Sequence, residues 1–138
     1  MSDDFSECMV SNSRMAARAI TRRYDRLLRG TGLTSTQLSL MAAIRQSPES
    51  TVSELAERRG FDRTTLTRNL DRLEEGGLID SRSAAKGNGR ICSVTAKGRT
   101  LMERLLPVWR QAQAEMRSIL SEDGFEQSLR TLKRLATV

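Results

Sequence analysis

Between Arg63 and Arg72 the chain sets Arg63, Thr64, Thr65, Thr67, Arg68, Asn69 and Arg72 around Leu66, Leu70 and Leu73. Leucines spaced i, i+4 and i+7 share one side of a helix, so the guanidinium, hydroxyl and amide groups take the others. Such groups suit a DNA major groove: Arg pairs with guanine, Asn with adenine, and threonine methyls meet thymine. Three threonines also lower helix propensity, and an ordinary amphipathic helix has no reason to carry them. Base-edge contacts are expected from Thr64, Thr65 and Arg68, with Thr67 beside them, and phosphate contacts from Arg63 and Arg72. Further on, Arg82, Lys86, Arg90, Lys97 and Arg99 follow one another with no acid between them. That run, broken by glycines, repels itself unless an anion lies near, and phosphate is the natural candidate.

Other chemistry is absent by composition. The 138 residues carry a formal net charge of +6 and no histidine, with a pI near 10.3. Imidazole acid/base catalysis, Ser/His or Cys/His pairs and His-ligated metals are therefore excluded. Cys8 and Cys92 lie far apart with no CxxC spacing, which signals neither a zinc site nor a disulfide framework. Carboxylates show no catalytic pairing, so no enzyme is expected, and no metal or other cofactor. The longest apolar stretch, Leu105 to Trp109, is interrupted by Pro107, too short to span a membrane. The acidic start, with Asp3 and Asp4, differs from the basic start of a signal peptide. A cytoplasmic protein is expected.

The elements that must position these groups are mostly helical. Met15, Ala19, Ile20, Tyr24, Leu27 and Leu28 mark a helix over 12–29, stopped by Gly30 and Gly32. Thr34 with Gln37, and Thr51 with Glu54, have capping-box spacing. The first box opens a helix burying Leu38, Met41, Ala42 and Ile44. The second opens a short one burying Val52, Leu55 and Ala56, ended by Gly60. Asp62 caps the Leu66–Leu73 helix, which Gly76 and Gly77 close.

Residues 78–82 and 91–95 then read as strands around Asn88-Gly89, a hairpin-turn dipeptide. Thr95 caps a long helix carrying Leu101, Leu105, Trp109, Ala112 and Met116, expected to bend at Pro107, and Ser121 caps a last one. Two short helices, a tight turn and a hairpin make a winged helix-turn-helix. The fold class is mainly α with a small β-hairpin wing and N- and C-terminal dimerisation helices. The long apolar helix exceeds what so small a domain can cover, so a second chain is the expected lid.

Five stretches together resemble the MarR family of bacterial winged-helix transcriptional regulators. They are Gly32-Leu33-Thr34, Thr51 to Ala56, Asp62 to Arg68, Leu73 to Ile79 and Thr95 to Gly98, in that order across most of the chain. The resemblance implies a homodimer whose terminal helices (1–33 and 96–138) interlock, with 34–95 as the DNA-binding unit. It implies a dimeric repressor on a double-stranded, pseudo-palindromic operator, released by a small-molecule effector or by oxidation. A family effector pocket lies between the dimer helices and the DNA-binding unit, and its linings here are expected to be Tyr24, Met41, Trp109 and Arg110.

The family's wing usually carries Asp-x-Arg, whose positions here hold Lys86 and Asn88. Lys86, Asn88 or Arg90 is expected at the adjacent DNA backbone or minor groove. Either Arg90 substitutes for the family's arginine, in which case Arg90→Ala should weaken binding more than Asn88→Ala, or the wing binds through plain charge. Some relatives sense peroxide through an N-terminal cysteine. That position falls on Val10 here and Cys8 lies further from Tyr24, so Cys8 is read as a plain thiol, with a redox switch as the alternative. A third reading is a winged-helix protein-interaction module.

Overall fold

Helix starts follow the side chains that can cap them. In a computed structural model, which describes residues 3–85, 87 and 89–138, Thr34 Oγ1 accepts from Gln37 N at 3.2 Å while Thr34 N donates to Gln37 Oε1 at 3.0 Å. This closed box opens α2 (Ser35–Gln46), the helix that follows α1 (Met9–Leu28). Thr51 and Glu54 repeat it at 3.2 and 3.3 Å to open α3 (Val52–Arg59). Asp62 accepts from Thr65 N at 3.1 Å and starts α4 (Arg63–Glu75). Thr95 accepts from Gly98 N at 3.1 Å and starts α5 (Ala96–Leu135). Each cap satisfies a donor the helix cannot, worth about 1 kcal/mol.

Between α3 and α4 the chain reverses on Gly60, whose φ of 68° is left-handed. Phe61 N then donates back to Ala56 O at 3.0 Å. A side chain at position 60 would strain that turn.

The wing is an antiparallel hairpin of β1 (Ile79–Ser83) and β2 (Arg90–Val94), with Ser81 opposite Cys92. Each strand is offset by one residue from the sequence expectation. Leu78 N is taken by Leu73 O at the end of α4, and Thr95 is taken by its role as cap. A bridge between Thr51 and Ile91 ties the wing to the start of α3. Asn88 of the expected turn dipeptide lies outside the described residues.

Helix α5 breaks at Ser121 (φ 66°, ψ 163°), while the backbone at Pro107, where the bend was expected, keeps helical dihedrals. Ser121 Oγ accepts from Gly124 N at 3.2 Å, so the serine does cap the second arm. Arg117 stiffens the elbow, stacked 4.3 Å from the Phe125 ring centre and paired with Glu122 at 3.2 Å.

Leu40, Met41, Ile44, Leu55, Leu66, Leu70, Leu73, Ile79 and Cys92 form the fully buried centre. In α2 the buried stripe is turned relative to expectation. Leu40 and Ala43 join Met41 and Ile44 in the core, and Leu38 and Ala42 are only half-buried, facing α1 and α5. The helix lies between two packing partners, so its apolar residues divide between two sides. Met9, Val10, Met15, Ile119, Leu120, Leu132 and Leu135 remain exposed on α1 and the far part of α5. Among the described residues no helix is long and apolar enough to cross a membrane.

Candidate nucleic-acid interface

Burying Leu66, Leu70 and Leu73 leaves the opposite side of α4 outward. There Arg63, Thr64, Thr67, Arg68, Asp71, Arg72 and Glu75 line one shallow open concavity. Arg63, Thr64, Thr67, Arg68 and Arg72 make no side-chain hydrogen bond or ion pair among the described residues, so their donors are available to a ligand. Arg63 and Thr64 also stand in the first turn, where free N–H groups and the helix dipole favour an anion.

Two neighbours are already committed. Thr65 is half-buried and its hydroxyl donates to Asp62 Oδ2 at 3.1 Å, so its polar group serves the cap. Asn69 Nδ2 donates to Thr65 O at 3.0 Å, and its Oδ1 accepts from Gln37 Nε2 at 3.5 Å. That amide ties α4 to α2 instead of facing a groove.

The cationic run of the wing divides. Lys86, like Asn88, lies outside the described residues. Arg82 pairs with Glu49 at 2.9 Å. Lys97 Nζ donates to Gly76 O at 2.7 Å, and Arg99 Nη1 to Val94 O at 3.0 Å. Arg90, the expected wing-tip substitute, is drawn inward by three acceptors. Its Nη1 meets Asp71 Oδ1 and its Nη2 meets Glu74 Oε2, both at 3.0 Å, and its Nε donates to Ser81 Oγ at 2.9 Å. The acid-free stretch therefore finds its anions and carbonyls largely within the protein. Sequence order hid them because they arrive from other elements.

A second feature lies behind the interface, where α1, α2 and α5 enclose a cavity of about 560 Å³. Tyr24 and Trp109, two of the four residues expected to line an effector pocket, line this cavity. Met41 does not, being fully buried on the core side of α2, and Arg110 does not, since one residue along a helix rotates a side chain by about 100°. Leu38, Ala42, Phe61 and Ala112 complete much of the apolar wall, with Arg45 and Glu103 at its polar part. The i, i+4 pair of Leu38 and Ala42 was the available signal for α2. The Tyr24 hydroxyl donates to the Gln113 side-chain oxygen, and burial pushes its pKa up, so the phenol stays neutral.

The two thiols differ. Cys92 is buried against Ser81, and burial pushes its thiol up, in keeping with an inert core residue. Cys8 stands half-buried at the N-cap position of α1, and the backbone N–H groups of Ser11 and then Val10 lower its pKa.

A model described as MarR family matches residues 31–91. The M. tuberculosis transcriptional regulator MosR, solved in complex with DNA, is 40% identical, covering 95% of each chain with a TM-score of 0.82. Two more distant structures share the fold. BpsR of Bordetella bronchiseptica, whose DNA binding is regulated by 6-hydroxynicotinic acid, is 17% identical over 100% of this chain and 99% of its own, with a TM-score of 0.84. A cysteine-to-serine mutant of E. coli MarR, complexed with operator DNA, is 24% identical over 97% and 99%, with a TM-score of 0.81.

Proposed function

The chain belongs to the MarR family of DNA-binding transcriptional regulators, and on that footing we propose that it works as a dimeric repressor on a pseudo-palindromic operator. Residues 34–95 are the DNA-binding unit. Residues 1–33 and 96–138 are the dimerisation helices, whose exposed Met9, Val10, Ile119, Leu132 and Leu135 seek a second copy. The observation that carries the reading is the outward side of α4, with three arginines and two threonines unengaged among the described residues beside a helix start. Arg68 and Thr64, with Thr67, read base edges, and Thr65 adds its methyl. Arg63, Arg72 and the wing residues Lys86 and Asn88 meet the backbone or minor groove. The regulator acts in the cytoplasm and does so without catalysis.

Selection of bound duplexes from a random pool tests this. A two-fold symmetric consensus with half-sites about one helical turn apart supports it, and recovery of no preferred sequence overturns it. Within a selected site, Arg68→Ala is expected to cost about 10- to 100-fold in affinity and to relax preference at one base pair per half-site. A uniform loss across all sequences would move Arg68 to the phosphate group of residues.

The cavity beside Trp109 is the effector site, suited to a small, largely apolar molecule with one polar end near Arg45. Trp109 is the sole tryptophan and lines the wall. A small molecule that releases DNA should shift its emission saturably, and Ala42→Phe, which fills the same space, should abolish the shift. An unchanged response in that variant would place the effector elsewhere.

A further inference from the structure

All three nitrogens of the Arg90 guanidinium are used, and by groups from two elements. Ser81 belongs to β1 of the wing, whereas Asp71 and Glu74 belong to α4. The Arg90 side chain is only 27% exposed, while Asp71 and Glu74 are 56% and 42% exposed. Asp71 lies in the same concavity as Arg63, Thr64, Thr67, Arg68 and Arg72. Left alone, its carboxylate would face the same polyanion that those residues bind, and Glu74 stands one position from Glu75 on the same half of the helix.

We infer that Arg90 is a positioning residue for DNA recognition, a clamp that locks the wing onto α4 and turns the Asp71 and Glu74 carboxylates away from the duplex, making no contact with DNA itself. The inference rests on the DNA-binding reading above. A planar guanidinium can hold three acceptors at fixed angles, which an ammonium cannot. The base of the wing packs against α4 through Leu73, Ile79 and Cys92 and is bridged to α3 at Thr51, so the Arg90 contact fixes the charged outer edge of the seam between wing and α4. Losing it loosens that outer edge and leaves two carboxylates at the interface.

The test is operator affinity, its salt dependence and thermal unfolding for the wild type, Arg90→Gln, Arg90→Lys, Asp71→Asn/Glu74→Gln and the triple variant with Arg90→Gln. Arg90→Gln is expected to weaken binding about tenfold with the salt slope unchanged, since no phosphate contact is lost. Arg90→Lys is expected to fall nearly as far, because charge alone does not make the clamp. In the Asp71→Asn/Glu74→Gln background the same Gln substitution should cost less than about threefold. The proposal is overturned if Arg90→Lys binds like wild type, or if the tenfold cost persists in the neutral background with the salt slope reduced by about one. The unfolding data read the clamp without DNA: the midpoint lost on Arg90→Gln should shrink by at least half when both carboxylates are gone, and full additivity would overturn it. Failure of the wild type to bind any duplex would instead count against the function itself.

Discussion

Raising the salt from about 50 to about 200 mM is expected to weaken operator binding about a thousandfold. The chain carries 23 Lys and Arg, and those already engaged within the protein release no counterions. Within the wing run Arg82, Arg90, Lys97 and Arg99 are held by Glu49, by Asp71 and Glu74, and by two backbone carbonyls. With Arg63, Arg72 and Lys86 as the proposed phosphate contacts of each protomer, a dimer neutralises about six phosphates and releases their counterions. A slope of about −0.9 per phosphate over a fourfold salt change gives the thousandfold figure. Fluorescence anisotropy across a salt series measures it directly. A change below about tenfold would mean that these cations do not reach the backbone, and would favour the protein-interaction reading of the winged fold.

Gly98→Ala is expected to lower stability by about 3 kcal/mol and the unfolding midpoint by about 10 °C. Gly98 is buried in the first turn of α5, where Thr95 caps the helix. A Cβ placed there would overlap the Leu78 carbonyl oxygen, come within 2.7 Å of Val94 Cγ1 and stand 3.1 Å from Met41 Cε. The Met41 side chain can give way. The Leu78 carbonyl cannot, because it accepts from Thr95 N at 3.0 Å and so holds the base of the wing to the start of α5. Relief therefore requires the long helix to back away from the hairpin, opening the centre around Leu73 and Ile79. Urea denaturation followed by helical circular dichroism gives the number. An unchanged midpoint would show that α5 shifts without cost and that the Leu78–Gly98 crossing does not hold the wing against α5.

Much of the fold is legible because its signals are local. Thr34 with Gln37, Thr51 with Glu54, Asp62 and Thr95 each cap within three residues of themselves, so a linear reading captures them. Gly60 ends α3 for a reason contained in its own backbone. The Leu66, Leu70 and Leu73 stripe names the inward side of α4, and with it the outward groups available to DNA. Readings that depended on a partner from elsewhere fared less well. The α2 stripe turned because that helix packs on two sides, which puts Met41 in the core and not in the cavity, while Arg110 misses the cavity by one helical step from Trp109. Proline suggested a bend at position 107, yet the backbone breaks at Ser121, where a side-chain cap starts the next arm.

The amino-acid order alone determined the sequence of helices, their capped starts at Thr34, Thr51, Asp62 and Thr95, the reversal at Gly60, the presence of a hairpin and the chemical character of α4, since each follows from residues within one or two turns of one another. Which cations remain available was settled only by tertiary structure. Arg90 lies 16 and 19 positions from its two carboxylates, and Arg82 lies 33 from Glu49. Charge reads along a sequence as a sum, but its effect depends on separation in space, and that separation exists only once the wing has folded back against α4.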